Sequence, residues 1–146
     1  MTEPVTHPNR EFALSCIRAG AALMLLGVVL GAFGAHALQQ VLTVKQLASY
    51  QTGVLYQQLH SLALILVGII ALVTPASRWL PRAAVLFGVG IIFFSGSIYA
   101  MTFGAPRWFG MVAPVGGVSF MLAWLSLALH AGKGREGPEG PEGPEG

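Results

Sequence analysis

Four long apolar stretches, residues 19–38, 56–73, 83–103 and 110–130, constrain this chain more than any other feature. Each runs to ~18–21 residues, which as helix spans ~27–32 Å and matches a hydrocarbon core of ~30 Å. Inside lipid no water satisfies backbone N–H and C=O groups, so each stretch closes its hydrogen bonds within itself. The sequence therefore predicts an all-α membrane protein, a four-transmembrane-helix up-down bundle in which short connections make consecutive helices antiparallel neighbours. Composition agrees, with 54% of the residues hydrophobic and 10% charged, against about 25% charged in a soluble domain.

The charges fall in the gaps between the stretches and give the bundle a direction. Arg10, Arg18, Arg78, Arg82, Lys133 and Arg135 share one side of an even-numbered bundle, and Lys45 and Arg107 lie on the other. Under the positive-inside rule this predicts a multi-pass protein with both termini cytoplasmic. The basic residues are scattered and form no patch, which argues against nucleic acid as a partner. Ala35-His36-Ala37 has the small-x-small form of a signal cleavage site. The apolar stretch before it exceeds the usual h-region of ~7–15 residues, so it reads as a retained first span. Cys16 is the one cysteine and reads as a reduced, structural thiol at the cytoplasmic edge.

Residues 1–17, with Pro4 and Pro8, are expected to be a flexible tail, and residues 18–131 the four-helix domain. Residues 39–55, which include Lys45 and Tyr50, are expected to cross the outer surface, partly as an interfacial helix, with Tyr50 and Tyr56 in the aromatic belt. Residues 132–146 end in Gly-Pro-Glu triplets. They permit a collagen-like stem, but so few triplets carrying Glu favour a disordered tail.

Gly20, Gly27, Gly31 and Gly34 lie within ~60° of one another on a helix and offer a groove for close approach. Gly27-x-x-x-Gly31 is a packing motif that serves either a dimer or the bundle itself. Gly88, Gly96, Gly116 and Gly117 are further candidate helix-packing positions on the third and fourth spans. Polar residues within the spans concentrate in the outer half: His36 on the first, Tyr56 and His60 on the second, Ser95, Ser97 and Tyr99 on the third. They form either a small polar cavity or interhelical glue worth ~0.6 kcal/mol per contact. His36 and His60 are expected at similar depth on adjacent spans, a weak metal signal, and no metal or cofactor is assigned.

Between Glu11 and Glu136 there is not one carboxylate. That removes paired-carboxylate catalysis, an acid for a hydrolase triad and the usual ion relay of coupled transporters.

The segments Gly31–Leu38 (GAFGAHAL), Gln51–Leu64 (QTGVLYQQLHSLAL), Phe94–Tyr99 (FSGSIY) and Ala113–Trp124 (APVGGVSFMLAW) together resemble the YgdD-like family of small bacterial inner-membrane proteins, over roughly residues 18–130. The resemblance implies a four-helix membrane domain of unknown function and carries over no catalytic residue. Gly31, Gly34, His36, Tyr56, His60, Ser95, Gly96, Ser97, Tyr99, Pro114, Gly116 and Gly117 occupy the family's motif positions. The chain departs from it in Leu55, where some relatives carry an acidic residue, and in its proline-glutamate tail.

Three functions compete on this reading. The first is a non-enzymatic accessory or assembly subunit that packs through its glycine faces on a second copy or a larger membrane complex. The second is a module that binds or conducts a lipid, quinone or metal ion in the outer polar pocket, and the third, an enzyme with a bound cofactor, has least behind it.

Overall fold

A computed structural model of the protein describes residues 9–133. Four helices long and apolar enough to cross a membrane make up nearly all of it. They are α1 (Arg10–His36), α2 (Val44–Val73), α3 (Trp79–Thr102) and α4 (Ala113–Lys133). Helix α3 widens into a single π turn at Ile91–Ser95 before resuming as α-helix at Gly96. Short 3₁₀ turns at Leu38–Gln40 and Arg107–Met111 adjoin α1 and α4.

Three helices start earlier than hydropathy suggests, α3 by four residues and α1 and α2 by more than two turns. Helix α1 begins at Arg10, so residues 10–17, expected in a flexible tail, are helical. They stay ordered because Ala13 and Cys16 are buried in one core with Val67, Ala71 and Leu80. The expected tail ahead of them, residues 1–8, lies outside the described residues, as do residues 134–146 with their Gly-Pro-Glu triplets. Gly132 and Lys133 belong to α4 instead.

Helix α2 begins at Val44, so the expected surface crossing at 39–55 is mostly helix. Its start is fixed by a capping box. The Gln46 backbone N–H donates to Thr43 Oγ1 at 3.3 Å, and the Thr43 backbone N–H donates to Gln46 Oε1 at 3.0 Å. This satisfies two of the donors that a helix start leaves orphaned. At 30 residues, α2 is about 45 Å long and outreaches a ~30 Å core, which carries its polar first turns beyond the hydrocarbon.

The register of the contacts makes neighbouring helices antiparallel. Along α1, Gly20 faces Ser61 and Ile65, Gly27 faces Gln57 and Gln58, Gly31 faces Val54 and Gly34 faces Tyr50. Along α3, Phe87 meets Trp124, Gly90 meets Phe120 and Phe94 meets Gly116. The chain is thus two helical hairpins, α1–α2 and α3–α4, joined across α2 and α3. The connections at 37–43 and 103–112 mark one end of the bundle, called the loop end below. Asn9, residues 74–78 and Lys133 mark the other, the terminal end.

Two buried clusters fill the interior. The larger, nearer the terminal end, joins Ala13, Cys16, Leu64, Val67, Leu80, Phe87 and Phe120 from all four helices. The smaller, at the loop end, holds Leu38, Tyr50 and Val54, with Leu30, Leu42 and Tyr99 against them.

Candidate functional site

The polar residues of the loop half separate into a hydrogen-bonded network and an aromatic stack. The network is centred on Gln57, which is 2% exposed. Its Nε2 donates to the Leu23 carbonyl of α1 at 2.8 Å, and its Oε1 accepts from the Tyr99 hydroxyl of α3 at 2.9 Å. One side chain therefore ties three helices. Beside it the Tyr50 hydroxyl donates to the Leu30 carbonyl at 2.8 Å, and the Tyr50 ring lies 5.4 Å from that of Tyr99. Ser95 Oγ, leaving the π turn, donates to the Gly53 carbonyl at 2.8 Å. Each of these bonds answers a donor or acceptor that lipid would leave unpaired.

Tyr50 was expected in the interface belt; it is fully buried instead, because its ring lies over Gly34, where a Cβ would come within 2.7 Å of it. Ser97 does not join the network, since its hydroxyl donates to the Phe94 carbonyl of its own helix at 2.9 Å.

His60 and Tyr56 belong to the stack. The His60 ring lies flat on Phe120, with centroids 3.5 Å apart and planes 8° apart, and Phe87 and Trp124 flank it at 5.7 and 6.2 Å. Tyr56 stacks on Phe94 at 4.6 Å. His36 is not with them. It is exposed at the end of α1, and the pairing of Gly20 with Ser61 and Gly27 with Gln57 sets His60 level with residues 20–27. His36 therefore lies at least ~14 Å further along the axis. This corrects the expectation of two histidines at similar depth, and with it a single cavity lined by His36, Tyr56, His60, Ser95 and Tyr99.

The glycines divide in the same way. Each of Gly20, Gly27, Gly31 and Gly34 has an α2 side chain against it, the tightest being Gly20, where a Cβ would lie 2.6 Å from Ile65 Cγ1 and 2.7 Å from the Ser61 carbonyl oxygen. Gly116 packs on the backbone of Phe94. Gly88 and Gly117 have open space beside them, and Gly96 meets only the Ile91 carbonyl of its own helix, at 4.0 Å, so these three do not pack on a neighbouring helix within the chain.

Gly53, Gly68 and Gly90, which face Tyr99, Ala13 and Phe120, and Gln57, which bonds Tyr99, join the positions expected from the sequence. The signal was present, for Gly53, Gln57, Ser61 and Gly68 lie on one stripe of α2 at near-helical spacing.

Residues 30–117 match a family described as protein of unknown function (DUF423). The chain belongs to the DUF423 family. The match runs from the last turns of α1 through Gly117 and so takes in Tyr50, Gln57, His60, Ser95 and Tyr99, with the Leu23 carbonyl just ahead of it. Relatives of this DUF423 protein include a UPF0382 membrane protein of Haemophilus influenzae, 38% identical over 75% of this chain and 86% of the relative. The UPF0382 membrane protein YwdK of Bacillus subtilis is 37% identical over 78% of this chain and 93% of its own. The UPF0382 inner membrane protein YgdD of Escherichia coli is 36% identical over 71% and 79%. No solved structure matches.

Proposed function

We propose that this DUF423 protein is a non-enzymatic accessory or assembly subunit of the inner (plasma) membrane, with both termini in the cytoplasm, that packs laterally on a larger membrane complex or a second copy. The observation that carries the reading is the unequal use of its glycines. The groove on α1 is filled by α2, whereas Gly88 on α3 and Gly117 on α4 have open space beside them and Gly96 meets only its own helix. In lipid, exposed small residues let another backbone approach closely, and dispersion then holds the pair. The absence of any carboxylate between Glu11 and Glu136, and a polar network that answers its own donors, support a packing role over a catalytic one. The six-to-two split of basic residues supports the orientation, and the name of the Escherichia coli relative supports the membrane.

A photo-crosslinking residue placed at Val85 or Met121, both exposed and one turn from Gly88 and Gly117, tests the reading in native membranes. The expected result is a discrete protein adduct from these sites, of twice the protein's mass if the partner is a second copy and of another mass if it is a larger complex. Val28 on α1, also exposed, should give none. Adducts to lipid alone from all three positions would overturn the proposal.

A further inference from the structure

His60 is the buried histidine of the aromatic stack, and one of its two ring nitrogens is unanswered. Its Nδ1 lies 2.7 Å from the Tyr56 carbonyl oxygen. A carbonyl only accepts, so in the neutral ring Nδ1 carries the proton and Nε2 the lone pair. Nε2 has no hydrogen-bond partner among the described residues, although the residue is only 5% exposed. By contrast, the hydroxyls of Ser61, Ser95, Ser97, Ser119 and Ser126 each donate to a carbonyl.

His60 lines a groove of about 450 Å³ between α2 and α4, along which Leu62, Leu66, Ile69 and Trp124 also lie. The rest of the lining is apolar, with no cation to hold a phosphate or carboxylate. No group of three metal-ligating side chains occurs among the described residues, so a metal ion would have His60 alone. The groove thus asks for one donor beside a hydrocarbon body. From His60 to Ile69 it follows nine residues of helix, ~14 Å, and the indole of Trp124, 45% exposed, offers a ring face at its polar end.

We propose that this groove binds a lipid-soluble quinol, with a ring hydroxyl donating to His60 Nε2, the ring against Trp124 and the hydrocarbon tail along Leu62, Leu66 and Ile69. At this depth no water competes for the lone pair. The oxidised quinone has no hydroxyl to donate, so the site discriminates between the two redox forms by a single hydrogen bond. It does not depend on whether the protein docks on a partner.

The test uses the full chain, labelled with ¹⁵N-histidine, in phospholipid nanodiscs, titrated anaerobically with 2-decyl-1,4-benzoquinol and separately with 2-decyl-1,4-benzoquinone. The expected result is a saturable shift of the His60 Nε2 resonance by the quinol, with half-saturation about tenfold below that of the quinone. Leu66→Trp, at a position 42% exposed, should fill the groove, leave His60 in place and weaken quinol binding about tenfold or more. Leu62→Trp provides the same block from a second position should the first variant not fold. Equal half-saturation for the two redox forms, an unshifted resonance, or undiminished binding in a folded blocked variant would overturn the proposal.

Discussion

The two hairpins solve the problem of packing in lipid differently. Between α1 and α2 the fit is small residue against large: Gly20, Gly27, Gly31 and Gly34 each receive a side chain of α2, and Gln57 and Tyr50 reach across to α1 carbonyls. Between α3 and α4 aromatic rings carry the interface, with Phe87, Phe94, Phe120 and Trp124 interleaved and only Gly90 and Gly116 giving close approach. Lipid tails are as apolar as leucine, so helices gain little from apolar area alone, and close backbone approach or polar contact must supply the association. The first hairpin closes all four of these α1 glycines on itself, and Gly53 of α2 receives Ile98 and Tyr99 of α3. The second leaves Gly88, Gly96 and Gly117 open.

That contrast is easiest to break where backbone is in the way. Gly20→Leu and Gly116→Leu should each lower stability by about 3 kcal/mol or more, since the new side chain meets the Ser61 carbonyl or the Phe94 backbone, neither of which yields cheaply. Denaturant titration of helical content in mixed micelles measures it. Normal stability in Gly20→Leu would mean that α1 does not lie in its groove on α2.

Next in size is Gln57→Leu, which removes the tie to the Leu23 carbonyl, still bonded within α1, and leaves the Tyr99 hydroxyl without its partner. A loss of about 1–2 kcal/mol is expected in the same titration, because unmatched polar groups in an apolar interior are penalised. Tyr99→Phe removes one hydrogen bond and keeps the ring against Tyr50, so about 0.6 kcal/mol is expected. An equal loss from Ser97→Ala, whose hydroxyl bonds only within its own helix, would show that the network adds nothing special.

The smallest effect belongs to the open glycines. Gly88→Ala and Gly117→Ala meet no neighbouring atom within 4 Å. Each should leave the isolated chain unchanged or stabilise it by up to about 1 kcal/mol, the usual helical advantage of Ala over Gly. A destabilisation seen only in native membranes, and absent in detergent, would locate a partner on that face.

The existence of four spans was legible because lipid leaves a 20-residue apolar run only one way to satisfy its backbone. Their ends were less so, since hydropathy marks the hydrocarbon boundary and not the end of the helix. Lys45, Gln46, Gln51 and Thr52 read as surface, yet Thr43-x-x-Gln46 is a capping box that starts α2 ahead of them. At the candidate site, residue types were readable but their grouping was not. His36 and His60 share a chemistry, and their places in the apolar runs put both in the outer half, whereas the register of Gly20 on Ser61 and Gly27 on Gln57 sets His60 near mid-bundle and away from His36. The π turn at Ile91–Ser95 carries no hydropathy signal, although it lies where α3 meets both α2 and α4.

The central claim is that the α1 glycine groove is filled from within the same chain, and a disulfide tests it directly. Gly31 faces Val54, a Cβ on the glycine lying 3.5 Å from Val54 Cγ1. In a Cys16→Ser background, Gly31→Cys combined with Val54→Cys should oxidise in native membranes to an intrachain bond, seen as a monomer of altered mobility that reverts on reduction. A ladder of disulfide-linked dimers, with no intrachain product, would contradict it and assign the groove to a second copy.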